Sequence, residues 1–402
     1  MGPFLIGILS ALSGSADAAE SRSVGIQERL VPRSAEFPGS IDTAPALQWS
    51  SALPGTAMNS ATHSEYTRPV IIGGDIYIGS AAGRALYRLS RRDGSLLQTY
   101  PASSSVESPP AVYKDRVYFA DTGGYVWCYD IDGDLLWSRV GNAPILVQPT
   151  IVDGTVYVTN VDDLVVALNS KTGSLDWRYQ AKADLTREAE LTLYAAPPAV
   201  IIDDEVIVGF SDGSLVALNR ENGEVVWQRQ IGEGRYPDLV AMPTTYGTDL
   251  VASGYFQPLV AIDIPTRSVR WRLDAGSAGA AVVDERDGKA VVYHPGSDGK
   301  LRAVSLLTGA ESWTWDSSVS GALTTPLMTP AGLFVGSSDR GLYLIDPDSG
   351  DEVWRFHEDF ILNGVSSAPV AAGRQLFFVS NAGNLYAMIA PRKPRQRRAA
   401  WP

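Results

Sequence analysis

A recurring unit of the form A-x-[DN]-x-x-[TN]-G-x-x-x-W limits the possible folds of this chain more than any other feature. It is clearest from Ala167 to Trp177 and from Ala217 to Trp227. The step between successive closing tryptophans is 40 to 50 residues, a period typical of a β-propeller blade. The closing tryptophans are Trp137, Trp177, Trp227, Trp271, Trp313 and Trp354.

Each repeat contains four short apolar runs separated by turn signals. In the fourth repeat the runs are 199–202, 205–209, 214–218 and 224–227. Asp-Asp, Asp-Gly and Asn-Gly turns separate them, and short β-branched runs joined by such turns indicate hairpins. No segment keeps a capped 3.6-residue apolar period. We therefore predict an all-β fold of four-stranded antiparallel blades with very little helix.

The number of blades follows from the incomplete units at the two ends of the repeat array. The last unit, from Pro369, lacks an outer tryptophan strand, whereas the segment around Trp49 has that strand and nothing else. We predict that the strand of Trp49 completes the sheet of residues 369–389 and closes the ring, which removes an exposed sheet edge. Gln98 fills the tryptophan position of the first unit. First strands are expected near Pro69, Pro110, Pro149, Pro198, Pro243, Ala280, Pro326 and Pro369, which gives eight blades.

The repeat places a single eight-bladed propeller at residues 45–390. Residues 1–19 resemble a secretion signal, with an apolar run followed by small residues, and residues 20–44 are expected to be a linker. Residues 391–402 form a basic tail, with five Arg or Lys among residues 392–398. This tail is expected to be a disordered, solvated end, and the alternative is contact with anionic lipid headgroups.

Composition argues against several classes of function. The net charge of −12 argues against nucleic acid as a partner, since phosphate binding needs a basic surface. Cys128 is the single cysteine, and the three histidines are far apart and show no metal-ligand spacing. Serine-rich stretches have no nearby histidine and no G-x-S-x-G motif. We therefore predict no catalytic residues, no metal site and no enzymatic activity.

The repeat resembles that of quinoprotein-type propellers, a family that includes dehydrogenases using pyrroloquinoline quinone with calcium. The resemblance covers roughly residues 45–390 and carries the fold rather than the activity. The large alcohol dehydrogenases of this class place an adjacent Cys-Cys pair against the quinone, whereas this chain has Cys128 alone. We therefore predict no bound cofactor. A quinone-binding oxidoreductase and a generic periplasmic binding propeller stay open as alternatives.

The chain is more similar to a non-enzymatic branch of this family, the BamB-like subunits that assist outer-membrane β-barrel assembly. Two loops of those subunits contact the barrel insertase. Leu191 and Leu193 match the first loop pattern, with Tyr194 where the family has Arg. Arg235 and Asp238 match the second pattern, although its second Asp is replaced here. These five residues are therefore the predicted partner-binding set, and the alternative is that the leucines pack on their own rim.

The same resemblance implies a partner and a location. The expected partner is the periplasmic domain of a BamA-like β-barrel insertase, with unfolded outer-membrane proteins as a further candidate. The expected location is the periplasm, on the periplasmic side of the outer membrane. Those subunits are lipoproteins with a Cys after the signal, and residues 10–25 contain none. The chain is therefore expected to be soluble there or to be held by partners.

Topology predicts that the two candidate loops are neighbours. Residues 180–196 and 231–242 each connect an outer strand to the inner strand of the next blade, and all such connections emerge on one face of a propeller. Long loops often carry function. We expect the leucines and Tyr194 to be exposed apolar anchors beside polar contacts from Arg235 and Asp238, so that substitutions there change docking and hardly change folding.

Overall fold

The computed structural model of the chain describes residues 41–55, 67–181, 196–318, 321–338, 340–356 and 364–391. Within these ranges 32 strands, numbered in chain order, form eight four-stranded antiparallel sheets. Blade one is β2 (Val70–Ile72), β3 (Asp75–Ser80), β4 (Ala85–Ser90) and β5 (Leu96–Pro101). Blade two is β6 (Ala111–Tyr113), β7 (Arg116–Ala120), β8 (Tyr125–Asp130) and β9 (Leu135–Val140). Blade three is β10 (Thr150–Val152), β11 (Thr155–Thr159), β12 (Leu164–Asn169) and β13 (Leu175–Gln180). Blade four is β14 (Val200–Ile202), β15 (Glu205–Gly209), β16 (Ser214–Asn219) and β17 (Val225–Gln230).

The second half of the ring repeats this pattern. Blade five is β18 (Thr244–Tyr246), β19 (Asp249–Gly254), β20 (Gln257–Asp263) and β21 (Ser268–Leu273). Blade six is β22 (Val282–Arg286), β23 (Lys289–Pro295), β24 (Lys300–Ser305) and β25 (Glu311–Asp316). Blade seven is β26 (Leu327–Thr329), β27 (Gly332–Gly336), β28 (Leu342–Ile345) and β29 (Glu352–Phe356). Blade eight is β30 (Val370–Ala372), β31 (Gln375–Val379), β32 (Asn384–Ile389) and β1 (Ala46–Ala52).

The predicted all-β, eight-bladed architecture is confirmed. Every first strand begins one or two residues after the position predicted from the sequence, as at Pro69 and Pro198. The described ranges contain strands and turns without a helix. They accordingly contain no helical segment with the length and hydropathy needed to cross a bilayer.

Ring closure by the N-terminal strand is also confirmed. β1 pairs antiparallel with β32, and Trp49 lies opposite Ala387. The indole of Trp49 packs on Phe377, with ring centroids 6.2 Å apart. Gln375 Nε2 donates a hydrogen bond of 2.7 Å to Gln48 Oε1 across the same sheet. The ring is therefore closed by hydrogen bonds between the two ends of the repeat array.

Some boundaries differ from the sequence expectation. Ile41, which the sequence assigns to the linker, is buried in the core beside blade seven. Its carbonyl accepts a hydrogen bond of 3.0 Å from the amide of Ala331. Ile41 therefore belongs to the propeller. The predicted signal segment 1–19, the linker up to residue 40, and the tail from residue 392 lie outside the described residues.

The alanine and the tryptophan of each repeat are cross-strand partners. Ala167 lies opposite Trp177 on the third and fourth strands of blade three, and Ala217 lies opposite Trp227 in blade four. A small side chain there leaves room for the indole ring, as the sequence predicts. In blade two Cys128 takes the alanine position, opposite Trp137. The single cysteine therefore acts as a small core residue.

In five blades the glycine of the repeat is required by the tryptophan of the preceding blade in the ring. Gly173 has φ of +69°, and a Cβ built on it would lie 2.6 Å from Cε3 of Trp137. Trp137 Nε1 also donates a hydrogen bond of 3.0 Å to the carbonyl of Ser170 in the same turn. Glycine is therefore needed both for its positive φ and for the close approach of the ring. The same stacking joins Trp49 to Gly94, Trp177 to Gly223, Trp271 to Gly309 and Trp313 to Gly350.

The boundary between blades four and five lacks this glycine. Arg267 occupies its position in blade five, with φ of +57°. Trp227 Nε1 then donates to Glu205 Oε2 within its own blade, at 2.8 Å. Arg267 lies 3.5 Å from the other Glu205 carboxylate oxygen. Polar contacts of Glu205 with Trp227 and Arg267 thus replace the usual contact between tryptophan and glycine at this blade boundary.

Candidate partner-binding rim

The two described candidate residues, Arg235 and Asp238, belong to the face that we call the rim face. It carries the turns between second and third strands and the connections between blades, and the remaining turns lie on the opposite face. Segment 181–199 joins β13 to β14, and segment 231–243 joins β17 to β18. A Cβ built on Gly209 would lie 2.7 Å from Leu239 Cβ and 3.5 Å from Pro197 Cγ. Pro197 of the first segment and Leu239 of the second therefore both lie against Gly209, as expected for neighbouring connections.

The structure describes only two of the five residues predicted from the sequence. Leu191, Leu193 and Tyr194 lie outside the described residues. Arg235 and Asp238 are both described, but they occupy different layers of the rim. Arg235 is exposed, whereas Asp238 has 0% of its surface accessible.

A buried glutamine holds the second segment in place. Gln257, at the start of β20, accepts a hydrogen bond of 2.8 Å from the amide of Glu233. Its Nε2 donates to the carbonyls of Glu233 at 3.0 Å and Tyr236 at 2.6 Å. All polar atoms of this amide are therefore used to fix the loop that carries Arg235. A rim loop fixed in this way presents its exposed side chains from a defined backbone.

Asp238 is buried under this loop, so its side chain supports the loop and does not face a partner directly. Its backbone oxygen crowds Gly254, where a Cβ would collide with it. The charge of Asp238 also acts on Asp163. The pKa of Asp163 is raised, and burial is the main cause. Hydrogen bonds from Ser211 oppose that rise, and the charges of Asp212 and Asp238 add to it. The expectation that Asp238 can be reversed in charge without affecting folding is therefore wrong, because a buried carboxylate replaced by Arg would strain this packed layer.

Arg235 has an exposed guanidinium group with few contacts. Its Cζ lies 5.5 Å from the ring centroid of Tyr236. Among the described residues it has this cation–π contact but no ion pair or hydrogen bond. In the neighbouring blade, by contrast, Arg270 Nε lies 2.7 Å from Asp249. Within the described ranges the guanidinium donors of Arg235 therefore have no acceptor.

An aromatic hairpin beside Arg235 was missed in the sequence analysis. Tyr255 and Phe256 form the turn between β19 and β20, and Phe256 is 56% exposed. The ring of Phe256 lies 4.7 Å from that of Tyr255 and 5.2 Å from that of Tyr236, between centroids. The signal was present in the sequence, because the equivalent turns of blades four and six read Ser-Asp-Gly at 211–213 and 297–299. Two aromatic residues at a position that elsewhere has turn residues indicate a role other than chain reversal.

The described residues do not fit a quinone and calcium site of the dehydrogenase type. Cys128 is buried in the third strand of blade two, between the inner and outer edges of the sheet. Burial raises the pKa of its thiol to about 11. Within the described ranges no three His, Cys, Asp or Glu side chains come together in a way that could hold a metal ion.

Comparison with known proteins gives a consistent family assignment. The family model described as outer membrane protein assembly factor BamB matches residues 86–314 and 237–400. The assembly factor BamB of Yersinia pestis is 25% identical over 263 residues, which is 64% of this chain and 64% of that protein. BamB of Burkholderia pseudomallei is 24% identical over 323 residues, which is 79% of this chain and 82% of that protein.

Solved structures share the fold at low sequence identity. BamB from Moraxella catarrhalis has a TM-score of 0.72 at 17% identity, covering 86% of this chain and 100% of that one. A quinohemoprotein alcohol dehydrogenase from Pseudomonas putida also has a TM-score of 0.72, at 16% identity, covering 96% of this chain and 83% of that one. These likenesses establish the propeller fold and do not separate an assembly factor from a dehydrogenase. The family model described above matches most of the sequence, and the chain therefore belongs to the outer membrane protein assembly factor BamB family.

Proposed function

We propose that this chain is a non-catalytic subunit of the cell envelope that assists assembly and insertion of β-barrel proteins into the outer membrane. Family membership is the observation that carries this proposal. The curated relatives named above are themselves called outer membrane protein assembly factors. The chain would act from the periplasmic side of that membrane.

The docking surface would be the rim face around the connections that enter blades four and five. Leu191, Leu193 and Tyr194 would supply apolar contacts, and Arg235 a directional polar contact. Asp238 would act indirectly, by supporting the loop that holds Arg235. The meeting of both connections at Gly209 supports a single continuous surface. The partner would be the periplasmic region of a BamA-like β-barrel insertase, with unfolded outer-membrane proteins as a second candidate.

A binding measurement tests this proposal. The purified chain is titrated against the periplasmic region of the insertase from the same organism, by biolayer interferometry. Replacing Leu191 and Leu193 together by Ser should weaken binding by about 2 kcal/mol, or roughly thirtyfold. The thermal melt should stay unchanged, because exposed loop changes usually alter stability by less than about 0.5 kcal/mol.

A matched control is available on the opposite face. Leu307 lies in the turn between β24 and β25 and is 73% exposed. Leu307→Ser should leave both binding and melting unchanged. If the double leucine variant melts markedly lower, these leucines are internal packing and the docking surface is placed wrongly. If the wild-type chain shows no binding to the insertase region, the proposed partner is wrong.

The competing function is a quinone-dependent dehydrogenase, because two of the solved structures that share the fold are named as alcohol or methanol dehydrogenases. Titration of the chain with pyrroloquinoline quinone and calcium, followed by absorbance, separates the two. We expect no complex in the micromolar range and no dye-linked turnover. A tight complex with turnover would promote the enzyme.

A further inference from the structure

We propose that Phe256 is the central apolar anchor of the docking surface and that Arg235 beside it receives a carboxylate. The partner segment would then be acidic, with an apolar side chain close to its carboxylate. This inference rests on the proposed function and specifies the chemistry of its partner. It adds residues of blade five that the family loop patterns do not include.

The exposure of Phe256 is the first step. An isolated exposed apolar side chain is ordinary, but this ring forms a cluster with Tyr236 and Tyr255. Aromatic residues and Arg are the residue types most enriched among the energetically dominant positions of interfaces. The cluster sits at a hairpin tip, where the equivalent turns of blades four and six have Ser, Asp and Gly. The packing of the blade therefore does not account for these rings.

Rigidity is the second step. The carbonyl of Tyr255 accepts a hydrogen bond of 2.7 Å from Ser297 Oγ in blade six. The next residue but one, Gln257, is buried and holds the loop of Tyr236 through three hydrogen bonds. The hairpin and the loop are thus fixed to each other and to the neighbouring blade. A preformed cluster loses little conformational entropy when a partner covers it.

The third step concerns the contacts of the Arg235 guanidinium group. This group lies over Tyr236 and has no ion pair among the described residues, whereas Arg302 has a carboxylate oxygen of Asp298 at 2.6 Å. A guanidinium with open donors on an aromatic face suits a carboxylate, which it can bind through two parallel hydrogen bonds. The chain as a whole carries a net charge of −12, so attraction of an acidic segment would have to come from this local contact and not from the overall charge.

The spacing of the two contacts sets the form of the ligand. The centroid of the Tyr236 ring lies 5.5 Å from the guanidinium carbon of Arg235 and 5.2 Å from the centroid of Phe256, so the two contacts are at most about 11 Å apart. Side chains two residues apart on an extended segment lie about 7 Å apart on the same side. One short extended segment with an acidic residue and an apolar residue at that separation can therefore reach both contacts.

The test uses the full chain and the periplasmic region of the insertase as the probe. Phe256→Ser should weaken binding at least tenfold, about the loss expected for an interface anchor, and Phe256→Leu should retain most of it. Arg235→Gln should weaken binding several-fold and should remove most of the salt dependence between about 0.1 M and about 1 M NaCl, since screening acts on charge pairs. Leu307→Ser and Arg139→Gln, which change exposed residues away from this cluster, should behave like the wild type. Equal thermal melts of all variants are required.

The outcomes separate this inference from the function that it rests on. Wild-type binding that Phe256→Ser leaves unchanged overturns the anchor and leaves the proposed partner standing. Binding that Arg235→Gln leaves equally salt-dependent overturns the carboxylate contact. Absence of any wild-type binding overturns the proposed partner, and the anchor with it. Loss of binding in both variants, with full retention in both controls, supports the inference.

Discussion

Gly173→Ala tests the stacking between neighbouring blades. The added methyl group would meet the ring of Trp137 at 2.6 Å from Cε3 and 2.7 Å from Cδ2. Both atoms belong to a rigid indole that is held against this turn by its hydrogen bond to the carbonyl of Ser170. The ring cannot move without breaking that bond, so the substitution combines an unfavourable φ with overpacking.

The two costs can be estimated separately. An alanine held at φ of +69° costs about 1–2 kcal/mol. Overpacking of a filled site costs typically about 1–3 kcal/mol more. Gly73→Ala is the matched control, because Gly73 has φ of +59° and no atom within 4 Å of the added Cβ. The control should therefore show the φ cost alone, and the difference between the two variants reports the contact with Trp137.

Urea unfolding followed by tryptophan fluorescence and far-UV circular dichroism measures both free energies of unfolding. We expect Gly173→Ala to cost about 1–3 kcal/mol more than Gly73→Ala. Combining Gly173→Ala with Trp137→Leu should remove that excess, as in a double-mutant cycle. Equal costs for the two glycine variants, within about 0.5 kcal/mol, would refute the requirement for close approach and leave only the φ requirement.

Three further predictions concern closure, pH and thiol chemistry. Trp49→Ala should lower the free energy of unfolding by about 2 kcal/mol, since its side chain is partly buried, whereas Leu47→Ser at an exposed position of the same strand should have little effect in the same urea assay. Burial lowers the pKa of His294 from 6.5 to about 4, so the unfolded chain binds a proton first and stability should fall as the pH drops from about 6.5 to 4. The full loss is about 3 kcal/mol, and His294→Gln should flatten this slope in melts recorded at pH 7, 6 and 5; an unchanged slope would assign it to other groups. Because burial raises the pKa of Cys128 to about 11, its thiol should react with a disulfide reagent at pH 8 only after denaturation, and rapid reaction of the folded chain would contradict its core position.

The architecture could be predicted from the sequence because each blade repeats the same local signals. Trp49 and Gln98 were assigned to their sheets by counting positions in the repeat, and both assignments agree with the strand pairing. Cross-strand pairing of small residues with tryptophan follows from the same count. Periodic patterns of this kind report the fold well because every copy faces nearly the same surroundings.

The rim could be predicted only in part, because its residues depend on contacts between blades. Asp238 lies in a loop where the sequence predicts an exposed carboxylate, and its burial is revealed only by its accessible surface of 0% and the close approach of Gly254. Tyr255 and Phe256 lie at a hairpin tip, a position that the repeat pattern assigns to a turn. Their contact with Tyr236 joins two turns from different parts of the repeat, and no local pattern reports such a contact.

The pairing of β1 with β32 has a consequence for the order in which this protein can fold. Ala46 and Ile389 are partners, although almost the whole propeller lies between them in sequence. β1 has no neighbour in the sheet until β32 has been synthesised. In turn, β32 has an unpaired edge until β1 pairs with it. Bringing such distant segments together is entropically slow, so the ring should gain its full cooperativity only in the final step. A chain stalled or cut before residue 384 would hold seven finished blades around an open gap.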